Sequence, residues 1–172
     1  MGLATHGQAR QAPDYFDRMV QEGVRTKGDT HWCAFMHSSW LGDDAMVYFN
    51  TMKDQYSVEL TVAHYECMVD VLGRVGRLEE AREMVEEMPM RANAVIWGIM
   101  LGACEKHGSV EIGEWVAREL LELEPWNDGV YVVLSNIYAA SGMWREVERV
   151  RRLMWERRVA KTLGYSAAAN SN

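Results

Sequence analysis

Cysteine, proline and phenylalanine are all scarce in this chain of 172 residues, with three of each. Cys33, Cys67 and Cys104 form no pair at motif spacing, which suits a reducing compartment. Each sits among apolar neighbours at helical spacing and reads as a small buried side chain. No apolar run approaches the roughly 18 residues a membrane span needs, and no basic leader precedes an apolar stretch at the N-terminus. The first residues already read as part of a folded unit, so any targeting peptide is expected to be missing from this chain. Positive charge is also in short supply. Eighteen Lys and Arg face 25 Asp and Glu, for a net charge of -7, which disfavours broad electrostatic affinity for phosphate. The deficit is uneven: from Met143 onward seven basic residues outnumber three acids, leaving -11 for the stretch from Met1 to Gly142.

The chain does have 48% apolar content and a recurring glycine. Gly7, Gly42, Gly76, Gly108 and Gly142 fall between apolar helical patterns at successive spacings of 35, 34, 32 and 34. Periods of about 34 mark helix-turn-helix units that bury their faces only by stacking on one another. The clearest unit runs from His64 to Asn93. Tyr65, Met68, Val69 and Leu72 share one face of a first helix, and Leu78, Ala81, Val85 and Met88 do the same for a second. Gly73 and Gly76 separate the two, Thr61 is placed to cap the first helix, and Pro89 closes the second.

Residues 1–25 read as the end of a preceding unit, with Tyr15, Phe16, Met19 and Val20 as its stripe and Pro13 in or near the first turn of its helix. Residues 26–60 hold a second unit, with helices from about Asp29 to Ser39 and from about Asp43 to Asp54. After the central unit, Ile96, Ile99, Met100, Ala103 and Cys104 face Ile112, Trp115, Val116, Leu120 and Leu123, with Pro125 as terminator. Val130, Val133, Leu134, Ile137 and Tyr138 then face Val147, Val150 and Met154. The expected fold class is all-α, a right-handed α-solenoid of antiparallel helix pairs.

The string His64 to Asn93, with GRVGRLEEA from Gly73 to Ala81, resembles the pentatricopeptide repeat family. The strings after it, VIWGIMLGACEKHGSVEIGEWVARELLELEP and then YVVLSNIYAASGMWREVERVRRLM, resemble the extension motifs that end many plant organellar members of the PLS class. Trp97 with Leu101 and Gly102 is similar to the tetratricopeptide pattern as well. The resemblance covers roughly residues 1–164. It implies pentatricopeptide repeats over 1–93, the first truncated and the second degenerate, then tetratricopeptide-like extension repeats over 94–160. A tail over 161–172 is expected to be disordered. The second unit departs from the family pattern near its turn and has Thr26 where related repeats carry proline.

The resemblance also implies where a ligand would be read, since repeats of this family take about one RNA base each. The family's fifth and final positions fall on Glu66 and Asn93 in the central unit. Asn93 can offer a donor and an acceptor to a base edge, whereas ionised Glu66 only accepts and repels phosphate. Asn93 equally suits the cap of the helix starting at Ala94. In the second unit the fifth position is Trp32, able to stack a base or to pack internally. In the extension-like units the matching positions are Gly98 and Asn127, and glycine has nothing to read with.

Catalysis is not expected. Relatives with a zinc deaminase domain need His-x-Glu and Pro-Cys-x-x-Cys. His64-Tyr65-Glu66 matches the first half alone and no Cys-x-x-Cys exists, so a deaminase domain is not expected in this chain. His31, Cys33 and His37 lack the facing geometry and a fourth ligand. No Ser-His-Asp set or Gly-rich phosphate loop is present, and the methionines fall at packing positions. No cofactor, metal, membrane or DNA is anticipated. The resemblance implies single-stranded organellar RNA as partner, in mitochondrion or chloroplast, with editing factors or a deaminase supplied in trans for cytidine-to-uridine editing or processing. The other reading is a tetratricopeptide-like adaptor for protein partners, which the acidic stretch before Met143 favours.

Overall fold

The computed structural model describes residues 42–54 and 59–156. The readings for residues 1–41, including Trp32 and Pro13, and for the 161–172 tail lie outside the described residues. Among the described residues seven α-helices follow one another: α1 Gly42–Asp54, α2 Val62–Val75, α3 Leu78–Glu86, α4 Ala94–His107, α5 Val110–Leu123, α6 Asp128–Ala140 and α7 Trp144–Glu156. There is no strand among the described residues. None of these described helices is long and apolar enough to cross a membrane.

The turns explain why the pairs form. Gly76, Gly108 and Gly142 have φ of +83, +70 and +72°, the left-handed conformation that side chains disfavour and glycine accepts freely. Each ends a first helix in the same way. The next amide reaches back five residues, Arg77 to the Leu72 carbonyl at 2.9 Å, Ser109 to Cys104 at 3.1 Å and Met143 to Tyr138 at 2.8 Å. Those bonds satisfy carbonyls the helix leaves open and turn the chain into the second helix. Gly42 differs from expectation, since it opens α1 rather than lying in a turn.

The pairs stack linearly. α2, α4 and α6 form one row, each packed on the next, while α3 and α5 pack in a second row beside them; α7 closes on α6. One core runs through the stack, including Met68 and Leu72 of α2, Ile96 and Met100 of α4, Ile112 and Val116 of α5, Ile137 and Tyr138 of α6, and Val147 and Val150 of α7. Fully burying a side chain of this size is worth about 1.5–3 kcal/mol. The nine-residue α3 is too short to hold itself; Leu78, Ala81, Met84 and Val85 anchor it. Arg82 of α3 also lies over the Trp115 ring of α5 at 5.2 Å, and Trp115 meets Trp97 of α4 edge-on at 5.0 Å.

Gly73 departs from the reading of it as a turn residue. It is buried inside α2, and a Cβ built there would stand 2.9 Å from the Ala103 Cβ of α4. Its role is close helix approach. Burial also extends beyond the expected stripes: Trp97 and Leu101 on α4, and Tyr131 and Ser135 on α6, are buried too, because a first helix meets a neighbour on more than one side. Leu123, expected in the core, is 44% exposed. Cys67 and Cys104 are both buried. Cys104 is a free thiol, and the burial of Cys67 and Cys104 fits the reading of them as small packed side chains.

Candidate nucleic-acid interface

α2 is started by Thr61 and held by a histidine. The Thr61 amide donates to Nδ1 of His64 at 3.0 Å, so the ring carries its hydrogen on Nε2, and His64 is buried. Among the described residues no group of His, Cys, Asp or Glu is placed to hold a metal ion. Burial pushes the Cys104 thiol up to about 11, which keeps it protonated and unreactive at neutral pH.

The outer face of α2 carries Glu66, Asp70 and Arg74 at successive turns. Arg74 pairs with Asp70 at 2.9 Å. Glu66 does not stand free. Asn93 donates from Nδ2 to Glu66 Oε1 at 2.8 Å, while the Ile96 amide donates to Asn93 Oδ1 at 3.0 Å. Only one orientation of the Asn93 amide satisfies both partners, with its oxygen on the helix and its nitrogen on the carboxylate. The two positions that the family resemblance singles out are thus brought together, Asn93 also being the cap of α4. One Nδ2 hydrogen and the second Glu66 oxygen take no part in these two bonds.

The pattern recurs one unit later in altered form. The Gly129 amide donates to Asn127 Oδ1 at 3.0 Å, capping α6, and Asn127 Nδ2 donates to Glu124 Oε2 at 2.7 Å. Here the carboxylate comes from the preceding loop. The place corresponding to Glu66 is Gly98, with nothing within 4 Å of where its Cβ would be.

Between α2 and α4 lies a shallow depression of about 250 Å³ lined by Asp70, Arg74, Gly98, Gly102 and Lys106, among others. Its two cations are partly committed. Arg74 holds Asp70, and Lys106 Nζ donates to the Arg74 carbonyl at 3.1 Å. His107 Nε2 bonds the Gly73 carbonyl at 2.9 Å beside it, so α4 side chains close the end of α2. Sequence reasoning missed this latch, because its partners stand 32 and 34 positions apart. The pairing of Asp70 with Arg74, four apart on one helix, is the part that a local rule could have found.

A model of the PPR repeat matches residues 1–24 and 63–91, and a model of the E motif matches residues 107–168. The chain belongs to the pentatricopeptide repeat family. It is 47% identical over 99% of its length to a pentatricopeptide repeat-containing protein of Arabidopsis thaliana named as mitochondrial, of which it spans 37%. A second mitochondrial pentatricopeptide protein of Arabidopsis thaliana is 42% identical over 96% of this chain, which spans 25% of that relative. A third, named without an organelle, is 40% identical over 96%, with 21% of its length spanned. This chain therefore corresponds to less than half of each of these pentatricopeptide proteins. In this family frame the α2–α3 hairpin is the pentatricopeptide unit, and α5 to α7 fall within the E motif.

Proposed function

We propose that this chain contributes to recognition of single-stranded organellar RNA, with base reading confined to the pentatricopeptide units over 1–93. The extension repeats over 94–160 present a protein surface to RNA-editing or processing factors, such as a deaminase acting in trans on cytidine. The observation that carries the reading is the contrast between α2 and α4. A donor and an acceptor sit together at Glu66 and Asn93, and the matching place on α4 is bare at Gly98. A base can be hydrogen-bonded at the first and at the second can only be passed by. No catalytic role is assigned to the chain. The names of two relatives favour the mitochondrion over the plastid. Trp32 is retained as a candidate stacking residue.

The adaptor reading has one specific observation in its favour, namely that Glu66 and Asp70 place acids on the face where phosphate would have to pass. Filter binding of organellar transcripts across a salt series separates the two. RNA recognition predicts retention at low salt with a falling affinity as salt rises. No retention at any salt would leave the adaptor.

A further inference from the structure

The last helix carries a surface that neither base reading nor the core uses. Trp144 and Trp155 are 65% and 83% exposed, while Trp97 is 7% exposed. At 3.6 residues per turn, the eleven positions between them bring the two rings to within about 20° of one another, about 16 Å apart along α7. They stand on one flank of the helix, beside the stripe of Val147 and Val150 that faces the core. Arg145 and Arg152 lie further round, toward the outer side, exposed and engaged by no partner among the described residues. The other two arginines of α7 are occupied, Arg149 by Glu146 at 2.6 Å and Arg151 by Ser135 Oγ at 3.3 Å.

We propose that the exposed side of α7 is a second, sequence-tolerant contact for single-stranded RNA, in which Trp144 and Trp155 stack bases and Arg145 and Arg152 meet phosphates. Helical spacing separates the two rings by Glu148 and Arg151, so they form no continuous apolar patch. Protein interfaces bury an apolar centre, whereas single strands are held by separated aromatic platforms in a basic setting. Charge favours this end of the chain. The stretch from Met143 onward has seven basic residues against three acids, while the stretch before it carries -11. Two exposed acids work against the contact, Glu148 in the row between the two rings and Glu156 one turn beyond Arg152. The surface rests on the reading of the chain as an RNA-binding protein, and not on where bases are identified.

The test is filter binding of a 12-nucleotide oligouridylate to the 172-residue chain across salt. Trp144→Ala with Trp155→Ala is expected to weaken binding about tenfold or more. Arg145→Gln with Arg152→Gln is expected to flatten the log-log salt slope by about 1.4. Glu148→Gln should tighten binding about twofold at low salt. All five side chains are exposed, so unchanged thermal melting serves as the folding control. Affinity that is the same in the double tryptophan variant, leaving those rings to a protein partner, overturns the proposal, and so does a wild-type chain that fails to bind. Selective binding of an organellar transcript that survives loss of both tryptophans leaves the proposed function standing and removes this surface alone.

Discussion

Asn93 and Glu66, 27 positions apart in sequence, meet at 2.8 Å where the central unit gives way to the next, with the Asn93 oxygen held at the same time by the Ile96 amide. One side chain thus starts a helix, ties it to the preceding unit and shares the position from which a base would be read. Replacing it should affect stability before it affects recognition. Asn93→Ala is expected to cost about 1–2 kcal/mol through the lost cap, while Glu66→Gln, which keeps an acceptor, should cost less than about 1 kcal/mol. Urea unfolding of both variants and of the pair would measure it. Equal losses for the two would show that the cap contributes nothing.

The glycines divide by what surrounds them. A methyl at Gly73 would stand 2.9 Å from the Ala103 Cβ, whereas at Gly98 and Gly102 it would meet nothing within 4 Å. Gly73→Ala should therefore lose about 1–3 kcal/mol by forcing α2 and α4 apart. Gly98→Ala and Gly102→Ala should each gain about 0.5–1 kcal/mol, since glycine inside a helix carries an entropic penalty. Opposite signs in thermal melts are the expected outcome. A loss at all three would mean that the α4 face is packed in solution.

Tyr138 gives the fold a dependence on alkaline pH. Burial, followed by its hydrogen bond to Glu114 at 2.7 Å, pushes the phenol up to about 12, against an ordinary value of about 10. The folded state prefers the neutral phenol. Its contribution is whole below pH about 10 and drains away as pH climbs from there through 12. Tyr138→Phe should be less stable at neutral pH by about 1.5–3 kcal/mol, the worth of a hydrogen bond to a charged group. The gap to wild type should narrow above pH of about 10. Tyr65 is also raised by burial and by Glu87, so the comparison is of the difference between the chains. A gap that stays constant up to about pH 12 would contradict the assignment.

The repeat boundaries were readable because a left-handed turn leaves a mark in the sequence, and Gly76, Gly108 and Gly142 all carry it. Apolar spacing likewise identified Ile96, Met100, Val130 and Ile137 as core residues. Thr61 as the start of α2 and Asn93 as a cap were legible from residue type. Gly73 was not, because glycine at a turn and glycine at a close helix contact look alike until the neighbour, Ala103, is known. A single-face template also overlooks Trp97, Leu101, Tyr131 and Ser135, since it describes a helix packed on one side. The bond between Glu66 and Asn93 joins residues that sequence places on separate elements, and no local rule predicts it. His64 as the partner of the Thr61 amide replaces the Glu or Gln that usually fills that place.

The most direct test of the central claim is selection of the 172-residue chain against a randomised single-stranded RNA pool, followed by sequencing of the RNA it retains. If pentatricopeptide units before Ala94 read bases and the extension repeats do not, enrichment should be confined to about two or three adjacent nucleotides, and Asn93→Ala should abolish the preference at one of them. A pool in which no RNA is retained, or a preference that ignores Asn93, would contradict the account.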